Sequence, residues 1–460
     1  MADETRTAFV GATLIDGTGM APLADSAVVA AGGRVTWVGP AAALDRTVAG
    51  LDVVDVSGKY LIPGLMDANV HLVFQCDPDI LLAYEPGGYD DLVLEAAQVA
   101  LAAGITTVFD TWGPGEALRR TRDRINSGEA LGSRVFFAGN IIGNDGPWSA
   151  DIFAGYDGVL NPAVVEAVNR HWERGVGADL TWMPAAQVRE AVAEYVATSG
   201  IDFVKYASSA HAHFRFLALS PDAQRLIVQE AHAAGMTAQA CTLAPEALKA
   251  AIEAGVDLLQ HGSSTGRYPM PEETLELIVR RRLPCVVTLH TRRYREAAFA
   301  EKQFHATWRE TFLVKERNAE RLIEADALIV HATDGGIFGP TAATSPWLGP
   351  LTRLPDVPIH LGHSHVRWHR AMIERGMAPM DALVAATRNV ALAYRKDDEL
   401  GTVETGKRAD LLVLDADPLD DPDNYRRIAH VVKDGVIIDR QRLPEHRILT
   451  RPPEGDDRTG

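Results

Sequence analysis

DAQRLIVQEAHAAGMTAQACTLAPEALKAAIEAGVDLLQHG, residues 222–262, is the stretch from which the fold is read. Two stretches rich in Ala and Glu end at Gly235 and Gly255, and each then feeds a short apolar run, MTAQAC and VDLLQHG. A glycine at the end of a helical pattern is a common helix stop, and the run behind it reads as a buried strand. The unit recurs on both sides. VLEAAQVALAAG precedes ITTVFD, AQVREAVAEYVATSG precedes IDFVKYAS, PEETLELIVRRR precedes LPCVVTLH, and ERNAERLIEA precedes DALIVHATD. Such repetition predicts a parallel α/β structure, and a (β/α)8 TIM barrel over residues 59–394 fits it better than an open sheet. No glycine-rich phosphate loop follows the first strand, which weakens a dinucleotide-binding alternative.

Outside this middle the texture is β-rich. TAFVGATLID, SAVVAAGGRVTWVG and LDVVDVSG lie within residues 1–58, and ELGTVETGKRADLLVLDAD and IAHVVKDGVIID lie within 395–450. The two pieces predict one small β-sandwich domain formed by the N- and C-terminal segments, with 451–460 a loose tail. The 460 residues carry 45 Lys+Arg against 62 Asp+Glu, a net charge of −17, and 47% are hydrophobic. The acidic balance argues against a nucleic-acid backbone or an anionic membrane surface as partner, and the apolar content excludes bulk disorder. Cys76, Cys241 and Cys285 are spaced neither as a disulfide framework nor as a zinc finger. There is no signal-peptide pattern and no run of ~18 apolar residues, so a cytoplasmic protein acting on a small molecule is expected.

In a TIM barrel the chemistry sits where the strands end. The polar residues closing the apolar runs are Asn69 and His71 in LIPGLMDANVHL, Lys205 in DFVKYAS, and Gln239 and Cys241 in MTAQACT. His261 in VDLLQHG, His290 in VVTLHTRR and Asp334 in LIVHATDGG complete the set. Asn69 and His71 are two apart and share a strand face. A lysine ending a buried strand is costly unless neutralised, paired or modified. Around one barrel mouth, these groups suggest a metal site of His, Asp and a Lys-derived carboxylate.

PGLMDANVHL, AGITTVFDTWG, FVKYAS, AGVDLLQHG, ATDGG and ELGTVETGKRADLLVLDADP resemble, in order, the landmarks of the amidohydrolase superfamily. The likeness is to its imidazolonepropionase- and dipeptidase-like branch and covers nearly the whole chain. It implies a barrel with a split β-sandwich, a metal-dependent hydrolase and a homo-oligomer. By position it implies metal-site residues at Asn69 and His71, Lys205 as N6-carboxylysine, Gln239, His261 and Asp334. Asp334 is implied as the catalytic proton carrier as well. Asn69 and Gln239 stand where the branch has histidines, and Asn-x-His looks like the subgroup of phenylurea hydrolases and molinate hydrolase. Two lost imidazoles favour one divalent metal over two, Zn2+ before Co2+, Mn2+ or Fe2+.

The expected reaction is hydrolysis of a C–N or C–S bond at a urea, carbamate, thiocarbamate or amide carbonyl by a metal-activated water. One rival is an Xaa-Pro dipeptidase or N-acyl amino acid hydrolase, with Arg292 or Arg293 clamping the substrate carboxylate. A metal-poor relative that binds a ligand without turnover is the other. His290 reads as a substrate-contacting catalytic group or a replacement ligand. Gln239, His211 with its neighbour His213, and Arg292 are the substrate-side candidates. Cys241 reads as a small buried hydrophobe, with a metal-facing thiolate as the alternative. His363, His365 and His369 in LGHSHVRWHR read as shaping a loop and helix rather than a second metal site. Trp112, Trp148 and Trp182 suit either aromatic walls or core packing.

Overall fold

The structure is a computed structural model describing residues 6–47, 49–73, 78–149, 161–210, 217–301, 306–339 and 352–451. Alternation of apolar residues builds the sheet at the chain ends. Its first strands are β1 (Arg6–Leu14), β2 (Leu23–Ala31), β3 (Arg34–Pro40), β4 (Leu51–Asp55) and β5 (Tyr60–Pro63). Phe9, Val28 and Ala30 pack into one buried cluster, and Ala8, Val10, Ala27 and Val29 into another. That is the period-2 split of strands covered on both faces.

The middle of the chain forms parallel sheets. β6 (Leu65–Val70), β7 (Ile105–Asp110) and β8 (Arg134–Phe137) make one arc. β9 (Ile141–Ile142), β10 (Val204–Ala207), β11 (Ala238–Cys241), β12 (Leu258–Gln260), β13 (Cys285–Val286) and β14 (Ile329–Val330) make a second, in that lateral order. Helices Pro221–Ala233, Pro245–Ala254, Glu272–Arg280 and Ala306–Glu324 lie before β11, β12, β13 and β14. Gly255, at φ 90°, ends its helix in the left-handed conformation that glycine adopts freely. The molecule is therefore a mixed α/β fold with parallel sheets.

Backbone hydrogen bonds tie β6 to the segment following β14. Ala68 N donates to His331 O at 3.1 Å, Asp334 N to Asn69 O at 2.9 Å, and His71 N to Gly335 O at 2.8 Å. Between the strands, Phe109, Phe203 and Tyr394 fill the interior, with the Phe109 and Tyr394 rings stacked at 3.7 Å.

The chain then returns to the first sheet through β15 (Leu411–Leu414), β16 (Ile428–Lys433) and β17 (Val436–Ile438). The order there is β17-β16-β15-β5-β1-β2-β3, with β4 beside β1. Leu61 of β5 faces Val413 of β15, so the sheet runs past the residue-58 boundary to Pro63. No described helix is long and apolar enough to cross a membrane.

Arg134 joins the two parts of the molecule. Its side chain, 10% exposed, lies 2.7 Å from Asp434 and 3.4 Å from Asp410. Deleting one partner leaves the others charged and only partly solvated. Arg134→Ala is expected to cost roughly 2 kcal/mol, below the buried-pair range because Asp434 is partly solvated. Urea unfolding reads this directly, and an unchanged midpoint would show the contact to be energetically idle.

Candidate active site

The backbone bonds that tie β6 to the segment after β14 also bring two side chains together. His71 Nε2 lies 3.1 Å from Asp334 Oδ1. Asp334 and His261 both adopt φ 56°, a region that non-glycine residues seldom occupy and that clusters at functional sites. Burial would raise the Asp334 pKa. The charge on His261, the His71 hydrogen bond and charge, and the charge on Lys205 outweigh it and hold the carboxyl well below its ordinary range. Asp334 is therefore ionised at neutral pH.

Lys205, 1% exposed, donates from Nζ to Thr111 Oγ1 at 2.8 Å. Thr111 Oγ1 donates to Asn69 Oδ1, and Asn69 Nδ2 donates to Gln260 Oε1 at 3.0 Å. Gln260 Nε2 donates to Gln239 Oε1, Gln239 Nε2 to Tyr394 Oη at 3.1 Å, and Tyr394 Oη to Ala68 O at 2.6 Å. Each side chain of this network thus has a partner, as a low-dielectric interior requires. The two amides that the sequence resemblance sets at histidine positions belong to one network. Asn69 uses its oxygen and its NH2 there, and Gln239 sits 1% exposed, bonded to Gln260 and Tyr394. Both ends of the Gln239 amide are thus engaged by Gln260 and Tyr394 in this geometry.

Burial lowers the Lys205 pKa, with Cys241, Asp334 and Asp110 acting in the opposite direction. Burial also pushes the Cys241 thiol up to about 11 despite Lys205. With no metal beside it, Cys241 is accordingly a protonated buried thiol.

Sequence reasoning passed over two carboxyls. Asp110 ends β7, accepts from Leu72 N at 2.8 Å and Trp112 N at 3.1 Å, and is raised to about 6 by burial, against the charge of His71. Asp67, raised to about 7 by burial, accepts from Thr333 Oγ1 at 2.6 Å and from Asn69 N at 3.1 Å. The signal was present in both cases. ITTVFD closes on an acid, and Asp67 lies two residues before Asn69, on the same strand face.

His290 is half-buried and stacked on Tyr294 at 5.0 Å. Burial first, then Lys315 and Arg375, push its pKa well below the ordinary value, so the ring is neutral. His290 and Asp334 line one cavity of about 50 Å3. Arg292 is not brought there: it is exposed, and it donates from its backbone N and Nη2 to Glu374, at 2.7 Å each. Arg293 is 73% exposed and lies 3.9 Å from Asp356.

Trp112 is buried edge-on to His71 at 6.0 Å, Trp148 is buried, and Trp182 is 87% exposed. His363 is exposed, whereas His365 and His369 are buried on helix Ser364–Ile373. His211, His213 and Cys76 lie outside the described residues.

Among the described residues, no three of His, Cys, Asp and Glu converge as a preformed metal cluster. The donor chemistry nevertheless suits a divalent cation. His71, His261 and the ionised Asp334 offer two imidazoles and a carboxylate at strand ends, with Lys205 acting on the same carboxylate.

The chain matches the amidohydrolase family over residues 60–438. The structure of molinate hydrolase superposes with a TM-score of 0.91 at 35% identity, covering 99% of each chain. Phenylurea hydrolase B gives 0.91 at 34% identity, covering 98% of this chain and 100% of that one. Ochratoxinase of Aspergillus niger is 25% identical over 462 residues, 95% of this chain and 87% of that protein. Members of this family generally use a divalent metal. The family match spans most of the length, and the hydrolase structures align end to end: this chain belongs to the amidohydrolase family and is a hydrolase.

Proposed function

We propose a metal-dependent hydrolase that cleaves the C–N or C–S bond of a urea, carbamate, thiocarbamate or amide. The observation that carries this reading is the 3.1 Å contact between His71 and an ionised Asp334, on which His261 also acts. The architecture belongs to the proposal: a closed (β/α)8 barrel over residues 59–394, and a β-sandwich from 1–58 and 395–450. The β6 bonds to the segment after β14 support the first, and the β5–β15 pairing supports the second.

His71, His261, Asp334 and a carboxylated Lys205 are the residues that would hold one Zn2+; Asn69 and Gln239 are engaged in the amide network. Such an ion supplies Lewis-acid activation, which ureas and carbamates need because nitrogen lone pairs delocalise into the carbonyl. The protein's own part is proton handling. Ionised Asp334 accepts a proton from the attacking water and returns it to the leaving nitrogen or sulfur. His71 fixes the carboxylate orientation through its Nε2 contact.

The test is metal analysis and turnover together. Purified protein should hold about one equivalent of metal per chain, as a single catalytic site requires. It should also release an aniline from a phenylurea or a thiol from a thiocarbamate. Metal-loaded protein that cleaves no urea, thiocarbamate or N-acyl amino acid would refute the activity. A metal content near zero would favour the ligand-binding relative.

A further inference from the structure

Beside Asp334 lies a cation that this reading does not use. The cavity of about 50 Å3 there is lined by His290, Lys315, Asp334, Asp356 and Arg367 among others. It has room for on the order of three waters, or for one small polar group, but not for a whole substrate. Its carboxylates are already engaged. Asp334 Oδ1 contacts His71, and Asp356 Oδ2 accepts from Thr291 Oγ1 at 3.0 Å.

Its cations are less well matched. Lys59, Lys249, Lys407 and Lys433 each pair with a carboxylate. Lys315 pairs with none among the described residues; its neighbour Glu316 gives its oxygens to Arg295 at 2.8 Å and Arg375 at 2.5 Å. Arg367 donates from Nη1 to Val357 O, while its Nε is buried without a partner among the described residues. Burial pushes the Lys315 pKa down to about 8, against the pull of Asp334 and Glu316, so most of it is still charged at neutral pH. Sequestered donors of this kind are costly unless an anion or water meets them.

We propose that this cavity is an anion subsite in which Lys315 and Arg367 Nε hold a carboxylate of the substrate. The preferred substrate is then an amide or carbamate carrying a carboxylate near the scissile carbonyl. This rests on the hydrolase reading of the Asp334 site and narrows it. Lys315 takes the clamping role that the sequence had suggested for Arg292 or Arg293.

The probes are N-benzoylglycine and N-benzoylglycinamide, with benzoate release by the metal-loaded enzyme as readout. Wild type should prefer the acid in kcat/KM. Lys315→Met should reduce that preference by about tenfold or more, mainly through KM, as expected for losing a charge-assisted hydrogen bond, and Lys315→Arg should restore most of it. A preference unmoved by Lys315→Met, or an equal loss for both probes, overturns the subsite. If Lys315→Met does not fold, Arg367→Gln reads the same ratio. If wild type cleaves neither probe, the hydrolase reading fails for these amides and calorimetry decides the subsite alone. Weaker binding of N-benzoylglycine by Lys315→Met supports it; equal binding, or none to wild type, rejects it.

Discussion

Asp334→Asn is expected to leave the fold intact while kcat falls by ~10²–10⁴-fold, the range that general acid–base groups supply. Asn has nearly the shape of Asp but cannot accept a proton from water. The backbone tolerates the change, because asparagine is among the few residues that adopt φ near 56° readily. The hydrogen bond from the residue 334 amide to Asn69 O does not depend on the side chain. His71 Nε2 retains an oxygen to meet, now on an amide. The carboxyl is held well below its ordinary pKa, so the base is present throughout the neutral range. The loss should therefore be the same at about pH 6 and about pH 8. Stability follows the sign of a depressed acid: the Asp334 contribution is present above its unfolded pKa of ~3.9 and fades as pH falls below it. Turnover near wild type would move the base elsewhere. Neutral, half-buried His290, in the same cavity, would be tested next.

The parts of this site that were legible in the sequence share a physical reason. Gly200 and Gly255 mark helix stops, and a residue closing the next apolar run must face a strand end. That places Lys205 and His261 from local text alone. What was not legible depends on partners far away in the chain. Asn69 and Gln239 read as weakened ligands until Gln260 and Tyr394 are beside them, and no spacing rule links residues 69, 239, 260 and 394. Arg292 looked like a clamp because it follows His290. Thr291 instead caps helix Arg292–Ala300, turning Arg292 into its first turn, where it meets Glu374. Lys315 went unnoticed because LVKERNAERL has the charge texture of an ordinary solvated helix. The strand Tyr60–Pro63 was missed for a similar reason: only Gly64 separates it from β6, and the two strands belong to different sheets.

The other large effect is expected at Lys205. If its amine carries CO2, Lys205→Ala should lose bound metal and reduce activity by at least ~10²-fold, the upper end of what losing a supporting residue alone costs. The environment favours the modification. Burial lowers the lysine pKa, which enriches the neutral amine, the form whose lone pair attacks CO2 as a proton leaves. The side chain is 1% exposed, and among the described residues its one hydrogen bond goes to Thr111 Oγ1 at 2.8 Å, with no ion pair to a carboxylate. Cys241 and Asp110 lie close enough to act on its charge, so truncation opens a polar hole that a small molecule can enter. Rescue by additives then separates the two roles open to this residue. Acetate or propionate would restore metal and turnover if the missing group is a carboxylate ligand, whereas methylamine would do so if Lys205 serves Thr111 as an ammonium donor. A second arm uses wild type: stripping metal and CO2 together, then returning Zn2+ with and without bicarbonate. Full reloading without bicarbonate, together with methylamine rescue of the variant, would leave a His71–His261–Asp334 site. The lysine would then be the electrostatic support that keeps Asp334 ionised.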